Sequence, residues 1–258
     1  VLIRPKLSMG LSGGGFTPRS IPGLKLWLSG DRSQMYDDSA GTIPADFNDS
    51  SGKIDDLSGN GHHATQGTTA NQPTLLANQS NGKPALDFNG TNNLLVVTDN
   101  AIFRTVPFMH VARFKMDEIP SIRGDNEYLF SDLGTSWYTR VALDDKFVFN
   151  VADSGSTLYH TSSDSTLVKD VWYNVYSILD SSFNTSLFIG ATKQADTESP
   201  GSLKSTSGNF NIGAGNVTSN RFEGQMSVPA LFYQGEPWID DATALQSNIN
   251  KLNPWLNR

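Results

Sequence analysis

Residues Asp55–Thr65 read DDLSGNGHHAT, with two acids, a Gly-Asn-Gly and a His pair inside eleven residues. A metal site, a catalytic cluster, a phosphate loop and a tight turn all draw on such residues. The letters of Gly59–Ala64 fit the G-x-G-x-x-A dinucleotide fingerprint, but that chemistry needs a buried strand before the glycines and a helix after them. Here KIDDLS (53–58) precedes and the Gly- and Pro-broken TQGTTANQP (65–73) follows, so no phosphate cradle is expected. His62 and His63 are adjacent, and on an extended chain they point to opposite sides, so they are expected at the surface and not on one ion. Turn chemistry remains. Gly59, Asn60 and Gly61 tolerate positive φ, and Asp56 and Ser58 are placed to bond neighbouring backbone N–H groups.

Downstream of this turn, strand-like runs follow one another: Ala85–Phe88, Leu94–Thr98, Phe108–Met116, Tyr128–Ser131, Arg140–Leu143, Lys146–Val151, Val171–Leu179, Ser186–Ala191, Asn209–Gly213 and Gln225–Tyr233. They are rich in β-branched and aromatic residues, and turn signals recur about every ten residues, the pattern of an antiparallel sandwich or barrel. FMHVARFKM (108–116) alternates, which puts Phe108, His110, Ala112, Phe114 and Met116 on one face. Upstream, KLWLS (25–29) is one more strand, and residues 31–83 otherwise read as turns. One helix is expected over about 241–252, capped by Asp240 or Asp241, with Leu245, Ile249 and Leu252 as its apolar stripe and Pro254 as its stop.

Residues 1–22 form a Gly-, Ser- and Pro-rich arm carrying Arg4, Lys6 and Arg19 and no acid. It is expected to anchor residues 23–258, a single domain that ends in the helix. The whole chain has 258 residues and a net charge of −7, so the body beyond the arm is acidic, which disfavours nucleic acid as a partner. There is no cysteine, hence no disulfide and no thiolate metal site. No apolar run is long enough to span a membrane, and VLIRPKLSMGLSGGGF (1–16) lacks the order of a signal peptide. The chain is therefore expected in the cytoplasm, or outside the cell by a route such as lysis on a virus particle.

No catalytic set stands out. GLSGG (10–14) matches the nucleophile-elbow letters, but Ser12 has neither a core strand before it nor a helix after it. None of the five glutamates, Glu118, Glu127, Glu198, Glu223 and Glu236, starts the paired-carboxylate strand pattern that sandwich glycosidases use. No catalytic residue is assigned, and the chain is read as a non-enzyme. Calcium is the one cofactor the residues leave open: Asp55, Asp56, Asn60, Asp99, Asp180 and Asn184 bring hard oxygens to loops, without EF-hand spacing. For a sugar, aromatic faces and nearby polar groups are the natural ligands. LGTSWYTR (133–140) reads as a loop, so Trp137 and Tyr138, beside Asp132 and Arg140, are the glycan-binding candidates.

Taken in order, IPGLKLWLSGD (21–31), DLSGNGHHAT (56–65), KPALDFNGTNNLLVV (83–97), WYNVYSILDSSFNTSLFIGA (172–191), FNIGAGN (210–216) and FEGQMSVPALFY (222–233) resemble the laminin-G-like, concanavalin A-like lectin/glucanase jelly-roll family over about residues 20–252. The resemblance implies an all-β, two-sheet antiparallel jelly roll with ligands at a rim of loops. It also implies that Asp180, in the turn of the late hairpin, can contribute to calcium. The family contains binders, structural modules and enzymes, so fold does not settle function. The arm and the size look like copies carried by bacteriophage virion proteins. The expected function is thus a non-enzymatic virion protein of capsid or tail, docked through its arm on other virion proteins, homo-oligomeric in the assembly and touching glycans. A free carbohydrate-binding or adhesion module is the alternative, and a polysaccharide-cleaving enzyme the third reading.

Overall fold

The computed structural model describes residues 15–98, 100–132, 136–215 and 220–258. Arg4, Lys6, Ser12 and Asp99 lie outside the described residues, as does most of the arm. The chain forms β1 (Leu24–Leu28), β2 (Met35–Tyr36), β3 (Lys53–Ile54), β4 (Ala64–Thr65), β5 (Thr74–Ser80) and β6 (Lys83–Asn89). It continues through β7 (Leu95–Val97), β8 (Phe108–Met116), a short helix α1 (Pro120–Arg123), β9 (Glu127–Asp132), β10 (Trp137–Val141), β11 (Phe147–Ala152) and β12 (Leu158–Ser162). It closes with β13 (Tyr173–Leu179), β14 (Thr185–Ile189), β15 (Thr192–Lys193), β16 (Phe210–Ile212), β17 (Glu223–Gln234) and helix α2 (Ala242–Leu256).

Two antiparallel sheets result. The first runs β15-β14-β13-β8-β17-β6-β5, with β1 also on β17; the second runs β12-β11-β10-β9-β16-β7-β4-β3-β2. β17 is long enough to pair with β6 through Glu223–Met226 and with β1 through Ala230–Tyr233. The main core lies between the sheets and is dominated by aromatic and branched side chains such as Phe108, Phe130, Trp137, Phe149, Phe210 and Phe232.

The first sheet is buried on both faces. In β8 the even-numbered Phe108, Ala112, Phe114 and Met116 point between the sheets, while Met109 and Val111 point the other way. That second face meets Leu245, Ile249, Leu252 and Leu256 of α2. The first sheet is therefore roofed. The second carries no such apolar cluster on its outer face among the described residues, although Val148, Asn150, Ala152 and Asn211 are buried there.

Helix α2 starts where expected, with the Asp241 carboxylate accepting from the Thr243 and Ala244 backbone N–H groups at 2.8 and 3.0 Å. It runs past the expected stop, through Pro254 to Leu256. A proline in the last turn removes one backbone donor, and two contacts offset that loss. Leu256 is buried in the second core, and Arg113 donates to the Asn257 Oδ1 at 2.7 Å.

The roof has another component. Ile21 is 2% exposed, with Phe16 packed beside it. Tyr233 Oη donates to the Pro18 carbonyl at 3.2 Å, Trp238 Nε1 donates to the Pro22 carbonyl at 3.2 Å, and Arg19 donates to the Leu57 carbonyl. Residues 15–22 therefore belong to the folded body, and the expected boundary at residue 22 falls inside its outer layer. Arg19, expected in an anchoring arm, holds the domain's own turn.

Residues 31–83 contain β2, β3, β4 and β5, which the sequence reading left as turns. The first three are two residues long, too short for a period to be visible; they pair with one another, and β4 joins them to β7.

Candidate functional site

The turn at Asp55–Thr65 is a brace for β1. Asp56, 8% exposed, accepts from Trp27 N at 2.9 Å and Ser58 N at 2.8 Å on one oxygen, and from His62 N at 3.0 Å on the other. Ser58 Oγ lies 2.7 Å from the second oxygen and 2.9 Å from the Lys25 carbonyl. Asn60 Nδ2 donates to the Leu24 and Lys25 carbonyls at 3.2 and 3.1 Å. Gly59 and Gly61 adopt φ of +94° and +80°, where a side chain would strain the chain. His62 packs edge-on against Phe103, 5.3 Å between ring centres, and burial lowers its pKa. The Nδ1 of His63 accepts from Asp56 N at 3.1 Å. All these groups serve the backbone.

Trp137 is a correction to the sequence reading. It opens β10 and is fully buried. Its ring is 5.0 Å from Phe108, 5.3 Å from Phe130 and 5.6 Å from Phe210, and Nε1 donates to the Phe103 carbonyl at 2.7 Å. The flanking Gly and Thr made a loop of what is a strand, and strand alternation sends Trp137 inward and Tyr138 outward. Trp137 has no face to offer a sugar.

Asp132 is also corrected. It is 1% exposed and accepts from Arg104 Nε at 2.9 Å, Arg104 Nη2 at 2.8 Å, Ser136 N at 3.1 Å and Thr206 Oγ1 at 3.0 Å. Such a bidentate ion pair, buried and saturated with donors, fixes loops in place.

The calcium candidates sit in the β13–β14 hairpin. Asp180 accepts from Ser182 N at 2.9 Å, Asn184 N at 2.7 Å and Asn184 Nδ2 at 3.0 Å, and Asn184 Oδ1 accepts from Ser199 Oγ at 2.6 Å. Both carboxylate oxygens thus hold the turn. No group of three acidic or His residues that could share an ion occurs among the described residues. This donor set does not fit a resident calcium.

Tyr138 and Arg140 do come together, on the outer face of the second sheet. Strand pairing sets Tyr138 beside Ser131 and Asn150, Asn150 beside His160, and Arg140 beside Tyr128 and Val148. The Tyr128 and Tyr138 rings stack at 5.2 Å and 28°. The Arg140 guanidinium lies 5.8 and 5.9 Å from the two ring centres. Asn150 Oδ1 bonds His160 Nδ1. Burial pushes the Tyr138 phenol up to about 12, helped by Tyr128, so it stays a neutral hydroxyl near pH 7. Tyr128, Tyr138 and Arg140 are half-buried and His160 is exposed.

The result is a platform with two aromatic rings, a guanidinium and an imidazole, while the Asn150 amide that holds His160 is fully buried. Tyr128, Asn150 and His160 were not singled out from sequence. Asn150 pairs with Tyr138 across β10 and β11, and His160 joins them only through β12, an edge strand whose polar letters, LYHTS, do not announce it.

One pair of carboxylates merits comparison. Glu127 and Glu223 both pair with Arg123, at 3.1 Å each. Arg123 also donates to the Arg221 and Gly90 carbonyls. Glu127 is fully buried, and burial pushes its carboxyl up against the pull of Arg123. The cluster ties α1 to β9 and β17.

Comparison with known proteins agrees with this architecture. Residues 89–234, from the end of β6 to the end of β17, match the family described as the concanavalin A-like lectin/glucanases superfamily. No curated protein sequence matches the chain. Among solved structures, the chain is similar to the binding domain of Paraclostridial mosquitocidal protein 1, with TM-score 0.63, 13% identity, and 89% of this chain against 51% of that one. It is similar to the receptor-binding domain of botulinum neurotoxin type G, with TM-score 0.58, 11% identity, and 88% against 51%. The chain spans about half the length of these toxin domains. It is similar over nearly the whole of another chain, domain 4 of an extracellular arabinanase from Geobacillus stearothermophilus in complex with arabinotriose, with TM-score 0.63, 12% identity, and 90% against 98%. At such identities the likeness is one of fold. The family match, which runs over more than half of the chain and most strands of its two sheets, makes this chain a member of the concanavalin A-like lectin/glucanase superfamily.

Proposed function

We propose that the chain is a non-enzymatic carbohydrate-binding domain and that the outer face of β9–β12 is its binding surface. One observation carries the reading. The first sheet has its outer face roofed by α2 and residues 15–22, whereas the second presents Tyr128, Tyr138, Arg140 and His160 at its outer face. Half-buried aromatic rings supply apolar surface for sugar C–H groups, and the imidazole, phenols and guanidinium supply hydroxyl partners. The arabinanase domain, whose structure holds arabinotriose, supports the same class of ligand. The non-enzymatic part rests on Glu127 and Glu223. They share Arg123, and the first is buried away from any substrate.

A glycan array tests this. Tyr138→Ala is expected to weaken the best-bound oligosaccharide at least tenfold, about 1.4 kcal/mol, with a melting temperature within a few degrees of the parent. A blank array, or binding unchanged by Tyr138→Ala, contradicts the reading.

We further propose that the domain is displayed on a bacteriophage particle, anchored through the basic segment before residue 15. The support is the arm's composition, with Arg4 and Lys6 and no acid ahead of an acidic body. Deleting residues 1–14, not 1–22, is the proper test, because residues 15–22 cover the second core. Particles assembled with the deletion variant are expected to lack it. Full incorporation contradicts the anchoring role and leaves sugar binding intact.

A further inference from the structure

Arg140 is unusual in its charge environment. The chain carries 26 acidic and 19 basic residues, and four of its other arginines find acids or dense hydrogen bonding. Arg32 pairs with Asp46, Arg104 with Asp132, and Arg123 with Glu127 and Glu223. Arg113 donates to Ser80, Asn174 and Asn257. Arg140 has no carboxylate partner among the described residues, and its Nε is buried with no acceptor.

Three acids in or against β9–β12 have partners of their own. Asp132 holds Arg104, Asp153 accepts from Thr157 N at 2.8 Å, and Asp196 accepts from Ser162 N at 2.7 Å. Apart from His160, Arg140 is the one ionisable cation facing outward from β9–β12 among the described residues.

A guanidinium so placed is held by ring faces rather than by an anion. Tyr128 and Tyr138 fix its plane, and a planar fork of N–H donors matches a carboxylate with two parallel hydrogen bonds.

We propose, on the reading that this platform binds carbohydrate, that it selects sugars bearing a carboxylate, of the uronate or sialate type. Arg140 takes the carboxylate through its two terminal nitrogens, its Nε being buried. Tyr138 and His160 take the ring and its hydroxyls.

The test is a binding titration of the full chain with a panel of carboxylated oligosaccharides. Each is paired with its carboxyl-reduced or methyl-esterified counterpart, and sulfated oligosaccharides form a separate arm. The acid is expected to bind at least tenfold more tightly than its neutral counterpart. Arg140→Met, which keeps the aliphatic stem against the rings, is expected to erase that preference, so that acid and neutral partners bind within about threefold of each other. Arg140→Lys keeps the charge without the fork and is expected to fall between the two, a check that survives poor folding of the Met variant. Equal binding of acid and neutral partners overturns the carboxylate selection while leaving the platform in place, as does preference for the sulfated arm alone. A panel with no binding member, neutral or acidic, overturns the platform itself.

Discussion

Replacing Trp137 with alanine is expected to destabilise the domain by about 3–5 kcal/mol, the cost of removing a large buried aromatic and leaving a cavity. For a chain of this length that lowers the melting temperature by on the order of 10 °C. The indole sits among Phe108, Phe130, Phe149 and Phe210, with its N–H on the Phe103 carbonyl. Removing it deletes ring contacts on both sheets and leaves a buried carbonyl without its donor. Trp137→Phe is expected to cost less, because it keeps most of the apolar surface and loses the hydrogen bond. Thermal denaturation distinguishes this from a sugar-binding role. A binding tryptophan on a loop would lose affinity and keep its melting temperature; a core tryptophan does the reverse until the domain unfolds.

His110 is expected to make the domain acid-sensitive. It is fully buried between Phe130 at 4.8 Å and Trp137 at 5.6 Å, and neither ring nitrogen has a partner. Burial lowers its pKa from 6.5 to about 3. Above about pH 6.5 the imidazole is neutral in both folded and unfolded chains. Below that the unfolded chain takes up a proton the folded one refuses, so stability falls by about 1.4 kcal/mol per pH unit down to the folded pKa. His110→Leu removes this slope. Between pH 6.5 and 5 the parent is expected to lose about 2 kcal/mol more than the variant, read from urea titrations at each pH. At pH 7.5 the variant is expected to be at least as stable as the parent, since it removes an unpaired buried polar group. Parallel stability curves for the two proteins would contradict the account. Taking the difference between them cancels His62, whose pKa burial also lowers.

The legibility of this fold in its sequence was uneven, for physical reasons. FMHVARFKM and VWYNVYSIL alternate or run apolar because β8 and β13 lie at the centre of a sheet buried on both faces. Gly59 and Gly61 were readable because only a turn with positive φ requires them at that spacing. β2, β3 and β4 were not, because two-residue strands have no period and owe their existence to neighbours distant in sequence. The site was half legible. Tyr138 and Arg140 were found, but assigning LGTSWYTR to a loop put Trp137 and Asp132 beside them. A strand beginning at Trp137 sends alternate residues to opposite faces. Asn150 and His160 join Tyr138 through the register of three strands, which no local pattern encodes.

The most direct test of the central claim is to map the bound sugar. Solution NMR of the labelled domain, titrated with its tightest oligosaccharide, is expected to shift resonances of Tyr128, Tyr138, Arg140, Asn150 and His160, and to leave those of α2 and of Asp56–His63 in place. Shifts confined to α2, to the Asp180 hairpin or to the turn at Asp55–Thr65 would contradict it.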